Sequence, residues 1–166
     1  MATLLHLAGQ NRLSKLDAAL GRDQQEWRRI YALPQARKWM EGVLPTLESE
    51  LGLEISPIEQ LDAFLTNYCA GDTLMYGRQF RPLRHIDAGV WELKTPDLRL
   101  FGWFHAKDCF ICSDCDDATK VKKHHLYAGY RDQAVRLRDQ LDLDEPKFLS
   151  GDDPNDVISA FCFPPT

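Results

Sequence analysis

The stretch from Gly89 to Lys123 constrains the fold of this chain more than any other segment. It holds three runs of apolar and aromatic residues, at Trp91–Leu93, Leu98–Phe104 and Cys109–Cys115. The runs are divided by two short segments of turn-forming residues, Thr95-Pro96-Asp97 and Ala106-Lys107-Asp108. Strand-forming runs that alternate with turn segments are typical of a β-meander, so this stretch predicts three successive antiparallel strands.

Helices are predicted before the meander. The spacing of apolar residues favours one helix over Asn11–Leu20 and another that opens at Asp23 and runs through Tyr31. Pro34 is expected to begin a third helix, since proline suits the first helical position. The clearest start is Ser56-Pro57-Ile58-Glu59, which supplies a serine N-cap, a proline after it and a glutamate at the third helical position. That helix is expected to end at Gly71.

After the meander, one helix is predicted from Asp117 or Ala118 to Leu141, with apolar residues three and four positions apart. The last twenty residues are expected to form a surface tail with one short helical turn. The sequence therefore predicts one α+β domain with a helical N-terminal half, a small twisted antiparallel sheet and a C-terminal helix. Its portions are a mainly helical 1–72, a sheet and helix over 73–141, and an acidic tail over 142–166.

Composition indicates the cellular location of the protein and how its charge is distributed. The chain has 166 residues, of which 44% are hydrophobic, and its net charge is −5. It has no apolar run of membrane-spanning length and no signal-peptide pattern, so we expect a cytoplasmic protein without a membrane partner. The charge is unevenly spread along the chain. Residues 76–107 contain six Lys and Arg and three acidic residues, whereas residues 142–156 contain six acidic residues and one lysine. A basic middle next to an acidic tail is the result.

The basic middle of the chain resembles a known protein family. The residues that carry the resemblance are Pro82-Leu83-Arg84-His85, Gly89-Val90-Trp91-Glu92-Leu93-Lys94, Leu98-Arg99-Leu100-Phe101 and the later pair Lys122-Lys123. Over residues 73–138 this progression is similar to the HigB-like, phage-derived branch of the RelE/ParE toxin superfamily. The resemblance implies a small twisted antiparallel sheet flanked by helices, with a further strand before the helices. Thr3–Leu7 is the expected position of that strand.

The resemblance also implies an activity, because many members are ribosome-dependent endoribonucleases that cut messenger RNA and others poison gyrase. Cleavage of RNA without a metal requires a base for the 2′-hydroxyl, a cation for the phosphate and an acid for the leaving oxygen. The residues that the resemblance assigns to catalysis are Arg99, Lys120, Lys122, Lys123, His124 and Tyr127. Those assigned to substrate binding are Arg84, His85 and Lys94. The expected partners are RNA or the ribosome and an antitoxin or host protein, and no cofactor is expected.

Each of these residues also has a structural interpretation. Arg99 alternates with Leu98 and Leu100, which predicts a solvent-facing side chain that either holds a phosphate or pairs with Glu92 or another nearby acid. The lysines from Lys120 onward are equally consistent with a solvated turn. Tyr127, with a second tyrosine three residues later, is typical of a helix face that packs on a core with its hydroxyl in water.

The three cysteines of the last strand offer a different chemistry. Cys109, Cys112 and Cys115 are spaced as zinc ligands can be, and a fourth ligand could come from His105, His124, His125 or Cys162. In a straight strand, however, Cys109 and Cys115 share one face while Cys112 points to the other. Three functions therefore stand side by side: an RNA-cleaving toxin, a non-catalytic interaction protein on the same fold, and a zinc-stabilised binding domain. The metal site is the least favoured, and the cysteines are better explained as small buried residues.

Overall fold

A mixed six-stranded sheet forms the centre of the fold. The computed structural model describes residues 1–165. The strands are β1 (Ser14–Lys15), β2 (Arg29–Ala32), β3 (Leu74–Met75), β4 (Phe80–Pro82), β5 (Trp91–Lys94), β6 (Leu98–Ala106), β7 (Cys109–Asp117) and β8 (Phe161–Cys162). The helices are α1 (Leu4–Gly9), α2 (Pro34–Gly42), α3 (Pro57–Cys69), α4 (Ala118–Lys123), α5 (Tyr127–Gln140) and α6 (Pro154–Val157). Strand order in the main sheet is β1-β2-β7-β6-β5-β4, and β3 pairs with β8 in a separate ribbon.

The predicted meander is confirmed, and so is the α+β class. Strands β4, β5, β6 and β7 pair antiparallel in succession, each with its neighbour in the chain. The sheet is mixed rather than wholly antiparallel, because β2 runs parallel to β7. A β-bulge interrupts the β6–β7 pairing, where Phe101 faces Asp114 while Gly102 faces Cys112. Ser113 is the extra residue of this bulge, and its hydroxyl donates to the Phe101 carbonyl.

Two predicted helices are confirmed at their N-termini. The Ser56 hydroxyl accepts from the Glu59 amide and the Glu59 carboxylate accepts from the Ser56 amide, which completes a capping box for α3. Pro34 is the first residue of α2, as its fixed φ angle favours. Both starts are set by neighbouring residues alone, which is why local sequence patterns identify them.

The two helices predicted before Pro34 are wrong. Residues 11–28 contain only the short strand β1 and irregular chain, and Arg29–Ala32 forms a strand instead of the end of a helix. Ile30 and Ala32 enter the core on one face of the sheet, while Tyr31 and Leu33 enter it on the other. A strand buried on both faces has a continuous apolar run that periodicity cannot distinguish from a helix. Thr3–Leu7, the expected first strand, lies mostly in α1.

Helices cover both faces of the sheet and divide the core in two. Side chains of α2 and α3 pack on one face, against β-strand residues such as Trp91, Leu100 and Phe110. Side chains of α1 and α5 pack on the other face, against residues such as Phe101 and Trp103. All nine residues of β7 are buried, because β6 pairs along one edge, β2 pairs with Cys109–Cys112 on the other, and helices cover both faces.

The C-terminal part of the chain differs from prediction in two respects. The single helix expected to Leu141 is two helices, and the chain between them turns at His125, whose φ angle is +53°. The predicted surface tail contributes Val157 and Ile158 to the core, and β8 pairs parallel with β3. The one helical turn expected there is confirmed as α6. Thr166, the end of the predicted tail, lies outside the described residues.

A buried arginine joins distant parts of the chain. Arg28 is 1% exposed, and its guanidinium donates to the carbonyl oxygens of Tyr68, Asp72 and Ala160 at 2.9–3.1 Å. Its Nε atom donates to Asp108 at 3.3 Å. The charge is therefore compensated by one carboxylate and three carbonyl oxygens, and the interaction connects β2 with α3, the β6–β7 turn and the C-terminal ribbon.

No helix within residues 1–165 is long and apolar enough to cross a membrane.

Gly102→Ala tests the close approach of β6 to β7. A Cβ atom at residue 102 would lie 1.9 Å from the Ile111 carbonyl oxygen, so the strands would have to separate. We expect the free energy of unfolding to fall by about 3 kcal/mol, the upper range for overpacked cores. Gly129→Ala is the control, since a Cβ atom added there, in α5, would have open space around it. It should stabilise the protein by about 0.5–1 kcal/mol. Urea denaturation of both variants measures the difference, and equal effects would contradict the packing.

Candidate functional site

The first candidate site is a cleft of about 450 Å³ between α3 and the turn that joins β5 to β6, which we call the hairpin cleft. Its cationic side chains are Arg78, Lys94 and Arg99. Glutamine, asparagine, threonine and apolar side chains complete its lining, and no acidic residue of the described chain is among them. In a protein with a net charge of −5, a cleft of this composition favours an anionic ligand.

Arg99 lines this cleft and is 4% exposed. Its alternation with Leu98 and Leu100, which lie in the core, is as predicted, but the solvent-facing position expected for it is wrong. Its Nη1 atom donates to the carbonyl oxygens of Thr95 and Leu98, at 2.7 and 2.8 Å. Its Nε atom lies 4.0 Å from Oε2 of Glu92. Within residues 1–165, Nη2 makes no such hydrogen bond. The guanidinium is thus held by the hairpin through Nη1, while Nε and Nη2 make no hydrogen bond within residues 1–165.

Lys94 is the cross-strand neighbour of Arg99 and is half-buried. Its ammonium group donates to the Gly77 carbonyl at 3.0 Å. Burial lowers the pKa of Lys94, and the positive charges of Arg81 and Arg99 lower it further. Lys122 acts in the same direction, against the opposing effect of Glu92. Burial and the neighbouring cations therefore favour the neutral amine, so a larger fraction of Lys94 than of an ordinary lysine is ready to accept a proton.

A second cleft, of about 360 Å³, lies between β4 and the start of α5, and we call it the arginine cleft. Arg81, Arg84, Arg131 and Tyr127 line it, again without an acidic residue from the described chain. Arg131 donates to the Arg84 carbonyl at 2.7 Å. The Arg81 guanidinium lies 5.6 Å from the centre of the Tyr127 ring, within the range of a cation–π interaction.

Glu92 connects the two clefts. It is completely buried, and its Oε1 atom accepts from Nε of Arg81 while Oε2 faces Arg99. A buried carboxylate between two guanidinium groups fixes both of them and compensates part of their charge. We call the surface formed by the two clefts the cationic band; its basic residues are Arg78, Arg81, Arg84, Lys94, Arg99 and Arg131.

The remaining predicted residues lie outside the two clefts. Lys120 pairs with Asp116 at 3.3 Å, so its charge is locally compensated. Lys122, Lys123 and His124 are exposed at the C-terminal end of α4, where positive charge is favourable for the helix dipole. Of these, Lys122 is close enough to affect Lys94. His85 is exposed on the loop after β4 and lines neither cleft.

Two aspartates near the end of β7, Asp114 and Asp116, accept hydrogen bonds from the neighbouring helices. The Asp114 Oδ1 atom accepts from the side-chain amides of Gln35 and Gln133, at 2.7 and 3.0 Å. Asp116 accepts from the Tyr130 hydroxyl and from the Asp117 amide. Burial raises the pKa of Asp114 to about 6; Asp116 adds to the increase, and the two glutamines oppose it.

The cysteines of β7 are divided between the two cores. Cys112 and Cys115 lie in the core beneath α2 and α3, and Cys109 lies in the core beneath α1 and α5. The bulge at Ser113 reverses the alternation, so the pair that shares a face differs from the pair expected in a straight strand. Burial raises the pKa of each thiol, to about 11 for Cys109. Nowhere in residues 1–165 do three His, Cys, Asp or Glu side chains form a group able to hold a metal ion.

Several residues of the cationic band were not predicted as site residues. Arg78 and Arg81 were counted only in the local charge, and Arg131 was one basic residue in a helix that has several. Glu92 was considered only as a partner of Arg99. The one sequence signal that could have selected them is the antiparallel register, which places Arg81 opposite Glu92 and Lys94 opposite Arg99.

Comparisons with known proteins add no relative. No family model matches the chain, and neither the curated proteins nor the solved structures contain a match.

Asp114→Asn tests the buried carboxyl at the end of β7. A raised pKa in the folded protein means that ionised Asp114 destabilises the fold above about pH 6, and that this cost disappears as pH falls toward the ordinary value of 3.8. The substitution should therefore stabilise the protein at pH 7.5 by on the order of 2 kcal/mol and by much less near pH 4.5, where only part of the cost of ionisation remains. Urea denaturation at both pH values measures the difference. A constant difference would contradict the raised pKa.

Removal of metal tests the division of the cysteines. Because the three thiols of β7 lie on two faces of the sheet, we expect a chelator to leave the melting temperature unchanged. Thermal denaturation with and without EDTA, together with metal analysis of the purified protein, provides the measurement. Bound zinc in equimolar amount and a lower melting temperature after chelation would refute this expectation.

Proposed function

We propose that the protein binds the phosphate backbone of RNA at the cationic band and cleaves it, as a HigB/RelE-like, toxin-type endoribonuclease that acts on ribosome-bound messenger RNA. The observation that carries this proposal is the lining of the two clefts, which combines six basic side chains with no acidic one from the described residues. Phosphate contacts from arginine and lysine supply most of the affinity of proteins for nucleic acids.

The order of elements supports the family resemblance. The resemblance implies a strand before the helices, and β2 precedes α2 and α3 and pairs with the last strand of the meander. The expected position at Thr3–Leu7 was wrong, but a strand of the required order exists at Arg29–Ala32. The residues before it, including α1 and β1, extend the chain beyond this arrangement.

The cationic band offers groups for each step of RNA cleavage. Lys94, with its lowered pKa, takes the proton of the 2′-hydroxyl, whose oxygen attacks the adjacent phosphorus. Arg99 and Arg81 stabilise the additional negative charge on the phosphate oxygens. The bond to the 5′-oxygen breaks, and the Tyr127 hydroxyl beside Arg81 donates a proton to that oxygen. The products are a 2′,3′-cyclic phosphate and a free 5′-hydroxyl.

A second candidate function is binding without cleavage, to a host protein or another acidic partner. The geometry favours it in one respect, because Arg81 and Arg99 already have internal partners in Glu92 and in the hairpin carbonyl oxygens. Such fixed cations can hold an acidic surface as well as a phosphate chain. A neutralising antitoxin would be a partner of the same chemistry.

Lys94→Gln separates the two functions. Expression of the unchanged protein should arrest growth and produce cuts within translated messages, which primer extension on cellular RNA detects. Loss of the lysine base should reduce cleavage by roughly 100-fold or more, the usual contribution of a general base. Lys38→Gln is the matched control, because Lys38 is an exposed lysine on α2, outside both clefts.

The outcomes differ clearly. Growth arrest with intact messages would reject the endoribonuclease and favour the binding function, which a stable complex in a pull-down would then support. Equal cleavage by the Lys94→Gln and Lys38→Gln variants would remove Lys94 from the mechanism. Absence of both growth arrest and RNA binding would reject the proposal.

A further inference from the structure

The apolar side of the hairpin cleft offers no group that binds a phosphate backbone. Besides its three cations, the cleft is lined by apolar side chains from the loop before α3, from α3 itself and from the β5–β6 turn; these are Ile55, Ala63, Phe64 and Pro96. Ile55 is 47% exposed, although it is a large apolar side chain. An apolar wall beside an anion-binding group indicates a ligand that has both a flat apolar part and a negative charge.

The side-chain amides beside these apolar residues differ in whether they already make hydrogen bonds within the protein. Gln60 is committed, because its side chain donates to the Asp97 carboxylate at 2.6 Å and accepts from the Asp97 amide at 2.9 Å. Gln79 uses only its oxygen, which accepts from the Met75 amide at 2.7 Å, so its NH₂ group remains available. The exposed Asn67 side chain makes no hydrogen bond within residues 1–165. Two uncommitted amide groups therefore lie beside the apolar wall.

We propose that the hairpin cleft binds one nucleotide unit, with its phosphate at Lys94 and Nη2 of Arg99 and its base against Ile55, Phe64 and Pro96. The amides of Asn67 and Gln79 face the edge of the base, where donor and acceptor groups are presented. A volume of about 450 Å³ is in the range of pockets for small ligands. The unit is either a free mononucleotide or one unstacked nucleotide of an RNA strand, and only the second rests on the proposed function.

Titration with AMP, GMP, CMP and UMP tests the site, with ribose 5-phosphate as the probe that lacks a base. Isothermal titration calorimetry of the whole protein is the measurement. We expect at least one nucleotide to bind ten-fold or more tightly than ribose 5-phosphate, because only the nucleotide reaches the apolar wall. Equal affinity for ribose 5-phosphate, or no binding of any nucleotide at millimolar concentration, would overturn the proposal.

Ala63→Phe fills the apolar half from an exposed position on α3 without removing a cation. It should weaken binding of the preferred nucleotide ten-fold or more. Ala19→Phe is the matched control, since Ala19 is an exposed alanine that lines neither cleft. It should leave nucleotide affinity unchanged.

Asn67→Ala provides a second variant that does not change the packing of α3, and a three-fold or greater loss of nucleotide affinity is expected. Unchanged affinity in both hairpin-cleft variants would exclude this cleft as the site.

RNA cleavage by the unchanged protein and by the Ala63→Phe variant is measured as well. It distinguishes the two sources of the nucleotide and separates this inference from the proposed function. If Ala63→Phe reduces both nucleotide affinity and RNA cleavage, the cleft holds a nucleotide of the strand. If nucleotide binding is lost but no RNA is cleaved even by the unchanged protein, the ligand is a free mononucleotide and the endoribonuclease is rejected. If RNA is cleaved equally well by the Ala63→Phe variant and no mononucleotide binds, the endoribonuclease stands and this inference fails.

Discussion

The burial of β7 is the constraint on which the rest of the structure depends. Its nine residues are all buried, with β2 on one edge, β6 on the other and helices on both faces. A strand in this position needs partners for its backbone groups; β6 pairs along its length, β2 pairs with Cys109–Cys112, and the Gln35 side chain donates to the Ser113 carbonyl. The end of the same strand also places Asp114 and Asp116, which accept from α2 and α5, and Asp117, which caps α4.

The buried carboxylate of Glu92 reduces the repulsion between two cations of the cationic band. Arg81 and Arg99 approach the same side of the sheet, and without Glu92 their charges would repel each other in a poorly solvated environment. Within residues 1–165, Arg81 and Arg99 are the basic residues paired with Glu92, so loss of both would leave a buried carboxylate uncompensated. The arrangement fixes the guanidinium groups before any ligand arrives, which lowers the entropic cost of binding an anion.

Elements held by residues close together in the chain could be predicted from the sequence, whereas those held by distant residues could not. The meander and the capping box of α3 depend on residues close together in the chain, and both were predicted. Strand β2 depends on pairing with Cys109–Cys112, far along the chain, so its apolar run was mistaken for a helix. Of the site, Lys94, Arg99, Arg84 and Tyr127 were predicted and lie in the two clefts. The burial of Arg99 was missed because strand alternation indicates a face, not what covers it.

The connections made by Arg28 have a consequence for the order in which the protein assembles. Its partner Asp108 is 80 residues away in the chain, and its acceptor Ala160 is 132 residues away. During synthesis from the N-terminus, the meander can pair as soon as it emerges, whereas the Arg28 guanidinium must wait for nearly the whole chain before its acceptors are complete. Both candidate clefts are built mainly from residues 55–131, so most of the cationic band can form before Arg28 acquires its last acceptor.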